Sequence, residues 1–479
     1  MKLTVFGDVS VTYVETLFLI FFPGIKFSET SVDQDGIISK VVSLHEGDVE
    51  TATAEVTAFG KTVTGYGRVD SLLEPNDIRR VKAAVGEAVF KACTEILGTP
   101  PPWGMISGVR PSKIAVQYMV SGMSDEDVIK RLIDEYYVNR NKAELVTKVA
   151  RIESDLISSL PENTCSLYVS VPFCPTRCSY CSFVSYSTPR LLSLIPEYLD
   201  ALCSEVERVC ERIKSDGKIP HTVYIGGGTP TTLSEDQLER LLSTIEKHID
   251  VKSLREFTLE AGRPDTITKE KLACAARHGV TRISINPQTL SDDVLREIGR
   301  AHTADDFRRA YAIARESGIP IINTDLIVGL PGDTLDSFKR TADEIVALAP
   351  ENITVHAFTV KRAATITERG EAVYSYTGGD AGACIDYISS LISDKGYLPY
   401  YMYRQKNSVG NLENTGFSLP GKEGLYNILI MEEVHNIYGV GAGAVTKFVG
   451  SPGEKIKREF ELKYPYEWLE RLKKEKDNK

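Results

Sequence analysis

Two hydrophobic rhythms run along this chain. Over the first 160 or so residues they are mixed. The stretch 51–66 alternates apolar and polar positions around Phe59-Gly60-Lys61, which predicts a hairpin. Asn76 precedes a run whose apolar members Ile78, Val81, Val85, Ala92 and Ile96 share one helical face. Gly98 follows, so a helix ending at Leu97 is predicted. Residues 99–102 form a proline-rich break, and Ser124 with Asp127 has the spacing of a capping box for a further helix. From Ser166 short apolar runs alternate with amphipathic stretches. Strands are predicted at 166–173, 221–226, 255–260, 281–287, 321–328 and 353–358, with helices between them, as at 235–248, 269–278 and 335–348. This alternation marks βαβ units and a parallel sheet. Six units suggest an incomplete barrel, although a doubly wound open sheet fits the pattern as well. After Tyr397 the rhythm is lost. A helix is expected at 425–434, then the glycine-rich run 438–445 and a last helix that includes 466–474.

A length of 479 residues exceeds one core and implies two or three domains. The expected division is an α+β domain over 1–160, a barrel core over 161–396 and an α+β extension over 397–479 covering the substrate side. Hydrophobic residues at 42% and charged residues at 25% fit an ordinary globular protein. A net charge of −10 without any Lys/Arg-rich block argues against nucleic-acid binding. The apolar run 17–22 is too short to span a bilayer, and the start of the chain does not read as a signal peptide, so a cytoplasmic protein is expected. Of nine cysteines, Cys93, Cys165, Cys203, Cys210, Cys274 and Cys384 are scattered and three are clustered. In a reducing compartment, scattered cysteines suggest core residues and a cluster suggests metal.

The cluster is Cys174-Pro-Thr-Arg-Cys178-Ser-Tyr-Cys181, in a loop after the first core strand. Three thiolates can hold three irons of a cubane and leave the fourth open to the amino and carboxylate groups of S-adenosylmethionine (SAM). The competing reading is a structural zinc, which needs a fourth protein ligand such as Cys165 or His356. Gly226-Gly-Gly-Thr229-Pro follows the second strand. Such a loop is a common tight turn, but here it falls beside the cysteines at the same end of the sheet. Glu260, Gln288, Asp325 and His356 with Ala357 occupy or end successive strands, where barrel enzymes carry their sites. Arg110 is a weaker substrate candidate, for which a surface or salt-bridged role is the default.

These residues resemble the radical SAM superfamily, and more closely the oxygen-independent coproporphyrinogen III oxidase (dehydrogenase) family. The matching motifs are Tyr168-Val-Ser-Val-Pro-Phe-Cys174, Gly226-Gly-Gly-Thr-Pro230, Gln288, Gly299-Arg-Ala-His-Thr303 and Asp325-Leu-Ile-Val-Gly-Leu-Pro331. Trp103-Gly-Met-Ile-Ser-Gly-Val-Arg-Pro111 and Tyr401-Met-Tyr-Arg-Gln-Lys-Asn407 resemble the HemZ-type branch. The resemblance implies a partial (β/α)6 radical SAM barrel with a 4Fe–4S cluster on Cys174, Cys178 and Cys181. It implies SAM held by Tyr168, Gly227, Gly228, Thr229, Glu260, Gln288, Arg300, Asp325, Ala357 and Val445. It further implies a 5′-deoxyadenosyl radical that takes hydrogen from propionates of coproporphyrinogen III; loss of CO2 and one more electron leaves a vinyl group, and two rounds give protoporphyrinogen IX. Reduced ferredoxin or flavodoxin would be the electron donor. A substrate with four carboxylates needs a local basic patch on an acidic protein, and Lys361, Arg362, Arg404 and Lys406 are the candidates. One departure is Phe183, where established oxidases carry another cysteine. Phenylalanine there is also found in the related haem chaperones of the HemW type. This leaves three readings: a coproporphyrinogen dehydrogenase, a haem chaperone in which His435 is a candidate ligand on the 425–434 helix's trailing end, or an enzyme for another tetrapyrrole or an unrelated substrate.

Overall fold

The computed structural model describes residues 1–28, 30, 36–71, 76–181, 183–359, 380–405, 408–450 and 454–477. They fall into two compact units: residues 1–150 with 380–383 and 402–413, and residues 151–359, 384–401 and 414–477.

The smaller unit opens with strand β1 (Lys2–Phe6), helix α1 (Val11–Phe21), strands β2 (Ile38–Glu46), β3 (Val49–Ala58) and β4 (Lys61–Asp70), and helix α2 (Asp77–Leu97). Its sheet has the order β1-β2-β3-β4, parallel between β1 and β2 and antiparallel elsewhere. The expected hairpin is β3–β4. Phe59 and Gly60 both take left-handed backbone (φ 52° and 76°), the geometry whose twist matches paired strands. The side chain of Asn76 caps α2 by accepting from the Arg79 N–H, and Gly98 ends the helix at φ 76°. A Cβ on Gly65 or Gly67 of β4 would run into the backbone oxygens of Ala88 and Ala84. The bare strand therefore lets α2 lie directly on the sheet. Ile78, expected on the apolar face of α2, is instead exposed. Helices α3 (Ser112–Val120), α4 (Asp125–Tyr136) and α5 (Arg140–Ser158) follow, and Ser124 caps α4 as expected.

The larger unit contains strands β5 (Thr164–Val171), β6 (Ile219–Gly227), β7 (Glu256–Glu260), β8 (Arg282–Ser284), β9 (Ile321–Val328), β10 (Asn352–Ala357), β11 (Leu398–Arg404, of which 402–404 are assigned to the smaller unit), β12 (Glu413–Ser418, of which Glu413 is assigned to the smaller unit), β13 (Asn436–Val440), β14 (Val445–Phe448) and β15 (Lys457–Phe460). Its helices are α6 (Pro189–Leu192), α7 (Ile195–Ser215), α8 (Glu235–His248), α9 (Lys269–Arg277), α10 (Asp292–Glu297), α11 (Ala304–Glu316), α12 (Leu335–Ala347), α13 (Asp380–Ser393), α14 (Leu425–Glu432) and α15 (Pro465–Asp477). The sheet order is β11-β12-β10-β9-β8-β7-β6-β5-β13-β14-β15. Strands β5 to β10 are parallel and adjacent in chain order. β10 pairs on its far side with β12 and β5 with β13, so β5 and β10 do not close on each other. This is a partial (β/α)6 barrel.

The two faces of these strands differ. Leu167, Val169, Val223, Ile225, Phe257, Leu259, Ile283, Ile322 and Ile353 point one way and are fully buried. The alternate positions are Tyr168, Tyr224, Thr258, Glu260, Arg282, Ser284, Asn323, Asp325, Thr354 and His356. With a strand period of two, the barrel interior is polar and aromatic while the outer face meets the helices. β8 is shorter than the predicted 281–287: the Ile285 N–H still donates to Asn323 O (2.8 Å), the regular ladder then breaks, and the chain rejoins β9 at Gln288, which bridges Leu326.

Candidate active site

The cysteine loop leaves the carboxyl end of β5 and is tied down on both sides. The Cys174 N–H donates to Tyr186 O (3.0 Å), and the Tyr186 N–H donates to Pro172 O (2.9 Å). The Ser179 N–H donates to Ile298 O (3.0 Å), and the next residue, Gly299, turns at φ 74° beside the Arg177–Ser179 backbone. Cys174 and Cys178 are buried and Cys181 is partly exposed; none forms a disulfide. Burial pushes the Cys174 thiol up, against a 3.3 Å contact from the Thr229 hydroxyl. Among the described residues, the one trio of His, Cys, Asp or Glu side chains with all ligand atoms within 4.8 Å is Glu239, Cys274 and His278. The three cysteine sulfurs therefore do not all lie within 4.8 Å of one another, whereas a single zinc with Zn–S of ~2.3 Å would bring each pair to ~3.8 Å. Cys165, one proposed fourth zinc ligand, is at the opposite end of β5.

The Gly226–Thr229 loop lies against this segment. The Gly228 N–H donates to Val171 O (2.9 Å) and the Thr229 N–H to Phe173 O (2.7 Å). A Cβ on Gly228 would come within 2.6 Å of Phe173 O, and one on Gly226 within 2.9 Å of a Glu260 carboxylate oxygen. Gly228 thus lets the two loops approach closely, and Gly226 leaves space for the Glu260 carboxylate.

Four further strands, β7 to β10, bring polar side chains to the same rim. Glu260 accepts from the Tyr224 hydroxyl (2.5 Å). Burial, with Asp325 nearby, pushes its carboxyl up to about 7 despite that hydrogen bond. Asp325 is bracketed by Asn286, whose Nδ2 donates to Oδ2 (2.8 Å) and whose Oδ1 accepts from the Asp325 N–H (3.2 Å). His356 Nε2 lies 3.7 Å from Asp325 Oδ2, while Asn414 Oδ1 approaches His356 Nδ1 (3.3 Å) and accepts from the Ala357 N–H (3.1 Å). Asp325 is thus partnered within the strand layer. Gln288 takes a left-handed backbone (φ 68°), unusual outside glycine, and its buried Oε1 has no partner. Arg300 donates to Gly262 O (3.1 Å) and the Tyr180 hydroxyl (3.4 Å), while its buried Nε has none. Unpaired buried donors and acceptors are costly in a closed protein. Here they suit a polar ligand, and beside three free thiols on one loop the residues fit a cubane cluster and an amino-acid-bearing cosubstrate. Below this rim, Tyr168, Tyr224 and Tyr426 form a stacked layer with centroids 4.5–6.3 Å apart. Val445 heads β14, opposite Phe460.

Other candidates fare differently. Arg404 belongs to the smaller unit and is buried. Its guanidinium donates to Ile106 O and Asn411 O and lies 5.4 Å over the Trp103 ring. Burial lowers its pKa to about 10. Arg404 is therefore a structural arginine, its fork spent on backbone carbonyls. Lys361, Arg362 and Lys406 lie outside the described residues. His435 is not on a helix: α14 ends at Glu432, and His435 precedes β13, buried, with Nε2 2.7 Å from the Ser166 hydroxyl. That is the amino end of β5, away from the cysteine loop, so His435 is a packed histidine. Phe183 is exposed. Glu239, Cys274 and His278 are knitted on the outer helices by Arg277 and Glu246.

The residue-by-residue reading missed Tyr224, Asn286 and Arg263. Tyr224 and Asn286 were visible as polar members of alternating strands, as in Thr222-Val-Tyr224-Ile-Gly226. Arg263 had no such signal, being placed only by the turn after β7.

Residues 168–345 match the radical SAM superfamily model. The chain is 36% identical over 451 residues to the oxygen-independent coproporphyrinogen-III oxidase-like protein HemZ of Bacillus subtilis, covering 93% of this chain and 89% of that protein. It is 38% identical over 200 residues to the heme chaperone HemW of B. subtilis, covering 41% of this chain and 51% of the chaperone. The Escherichia coli coproporphyrinogen III oxidase HemN, described as a radical SAM enzyme, has the same fold, with a TM-score of 0.52 and 21% identity over 68% of this chain and 72% of that one. No helix among the described residues is long and apolar enough to cross a membrane. The chain belongs to the radical SAM superfamily and, within it, to the family of the HemZ protein, and its cofactors are a 4Fe–4S cluster and S-adenosylmethionine.

Proposed function

We propose that the protein is an oxygen-independent coproporphyrinogen III dehydrogenase, converting propionate side chains to vinyl groups on the way to protoporphyrinogen IX. The supporting observation is the extent of similarity: the HemZ match runs through 93% of this chain, the HemW match of B. subtilis through 41%. When bound, the cluster and SAM supply a carbon-centred radical that can take hydrogen from an unactivated propionate.

This chain's residues have the remaining tasks. Cys174, Cys178 and Cys181 would hold three irons, on a loop braced by the backbones of Tyr186 and Ile298. Gly227, Gly228 and Thr229 line the methionine part of SAM, and Tyr168 lies beside it. Glu260, Gln288, Arg300 and Asp325 bind its amino-acid and ribose groups, with Ala357 and Val445 as further contacts. No general base is required. The protein positions the two reactants and keeps water from the radical, and the tyrosine layer closes the interior beneath them. Reduced ferredoxin or flavodoxin provides the electron.

The 38% identity to HemW supports a second reading, a haem chaperone with the same cluster. An anaerobic assay with reconstituted cluster, reductant, SAM and coproporphyrinogen III separates them. The dehydrogenase yields 5′-deoxyadenosine and protoporphyrinogen IX. Stoichiometric haem binding without either product would establish the chaperone. Deoxyadenosine without porphyrin turnover would direct the chemistry to another substrate.

A further inference from the structure

Arg263 follows β7 and sits against the cysteine loop with only 4% of its surface exposed. Nη1 points at Cys178 Sγ (3.6 Å) and Thr176 O (3.3 Å), Nη2 donates to the Thr176 hydroxyl (2.7 Å), and Nε donates to Asp265 Oδ1 (3.1 Å). The planar fork is thus filled on three sides, and one edge is aimed at a sulfur. A lysine cannot reproduce this arrangement.

We propose that Arg263 is a positioning residue that sets the reduction potential of the cluster through its N–H···S contact with Cys178. The inference rests on Cys178 being a cluster ligand. Hydrogen bonds to cluster sulfurs, local charge and solvent exposure are the protein's means of tuning such potentials. Reduction adds negative charge to the iron–sulfur–thiolate assembly. A buried guanidinium edge stabilises that charge more in the reduced than in the oxidised state, so Arg263 raises the potential. Asp265 opposes it: as the counter-ion of Arg263, 3.1 Å from Nε, it withdraws part of the positive field from the sulfur. The pair makes opposite predictions for its two members. A loop clamp alone makes none for the potential, because clamping does not distinguish the two redox states.

The test is an EPR-monitored redox titration of the cluster-loaded full chain, without SAM or substrate, for the parent, Arg263→Gln and Asp265→Asn. Arg263→Gln should lower the reduction equilibrium constant about tenfold, which is about 59 mV for one electron, and Asp265→Asn should raise the potential. An unchanged or lowered potential in Asp265→Asn overturns the proposal, as does an unchanged one in Arg263→Gln with full iron content. If Arg263→Gln does not retain its cluster, Asp265→Asn decides. Porphyrin turnover is assayed separately. An unshifted potential in a protein that turns over coproporphyrinogen rejects this role alone. Shifted potentials without turnover reject the dehydrogenase reading alone.

Discussion

Glu260 gives a pH-dependent prediction with a defined sign. Its carboxyl titrates near 7 rather than near 4.5, mainly because it is buried and secondarily because Asp325 is close. The folded state therefore binds a proton more tightly than the unfolded chain. The resulting stability is present below about pH 4.5 and is lost as pH rises through 7. The full difference is about 3.4 kcal/mol at 1.36 kcal/mol per pH unit; the residual solvent contact of the side chain trims this to about 2–3 kcal/mol. Urea unfolding of the cluster-loaded protein at pH 5 and pH 8.5 should show a loss of that size that is absent from Glu260→Gln. If Glu260 receives the ammonium group of SAM, binding must displace its proton. SAM affinity should then fall about tenfold per pH unit below 7, in a range where the cosubstrate's α-amino group stays protonated. Equilibrium binding between pH 5.5 and 7 measures this. Parent protein with pH-independent affinity, or Glu260→Gln retaining the parent's slope, would refute the assignment. Tyr224→Phe removes the hydrogen bond that favours the carboxylate, so it should move the midpoint of the binding profile upward.

Gly228→Ala places a methyl 2.6 Å from Phe173 O; the two loops must part, costing about 1–3 kcal/mol and lowering both iron retention and SAM affinity. Cys178→Ala should lose the 4Fe–4S spectrum and all SAM cleavage, and full cleavage in that variant would remove the cluster assignment. In the smaller unit Glu413 is buried between Lys142 Nζ (2.5 Å) and Trp103 Nε1 (2.8 Å). Lys142→Met leaves that carboxylate unpaired and should destabilise the unit by about 3–5 kcal/mol, with much of the loss recovered in Lys142→Met/Glu413→Leu; calorimetry of both variants checks it.

The sequence by itself determined the local parts. Periodicity located the strands of the barrel, Asn76, Ser124 and Gly98 set helix ends, and the spacing of Cys174, Cys178 and Cys181 with a glycine-rich neighbour indicated the chemistry. These signals lie within a few residues of one another, and local sterics and hydrogen bonding enforce them. The tertiary structure decided the rest. The register of six strands brings Glu260, Asp325 and Gln288 to one rim, as their places along the predicted strands suggest, and only that register shows that Asn286 brackets Asp325. Only burial shows that Arg404 is bound to backbone carbonyls rather than offered to a ligand, that His435 is packed at the amino end of β5, and that Arg263 meets a cysteine 85 residues away. An isolated arginine reads the same in sequence whether it faces solvent, a carbonyl or a sulfur. Its role depends on which distant segment excludes water around it, and this is settled when the sheet is assembled.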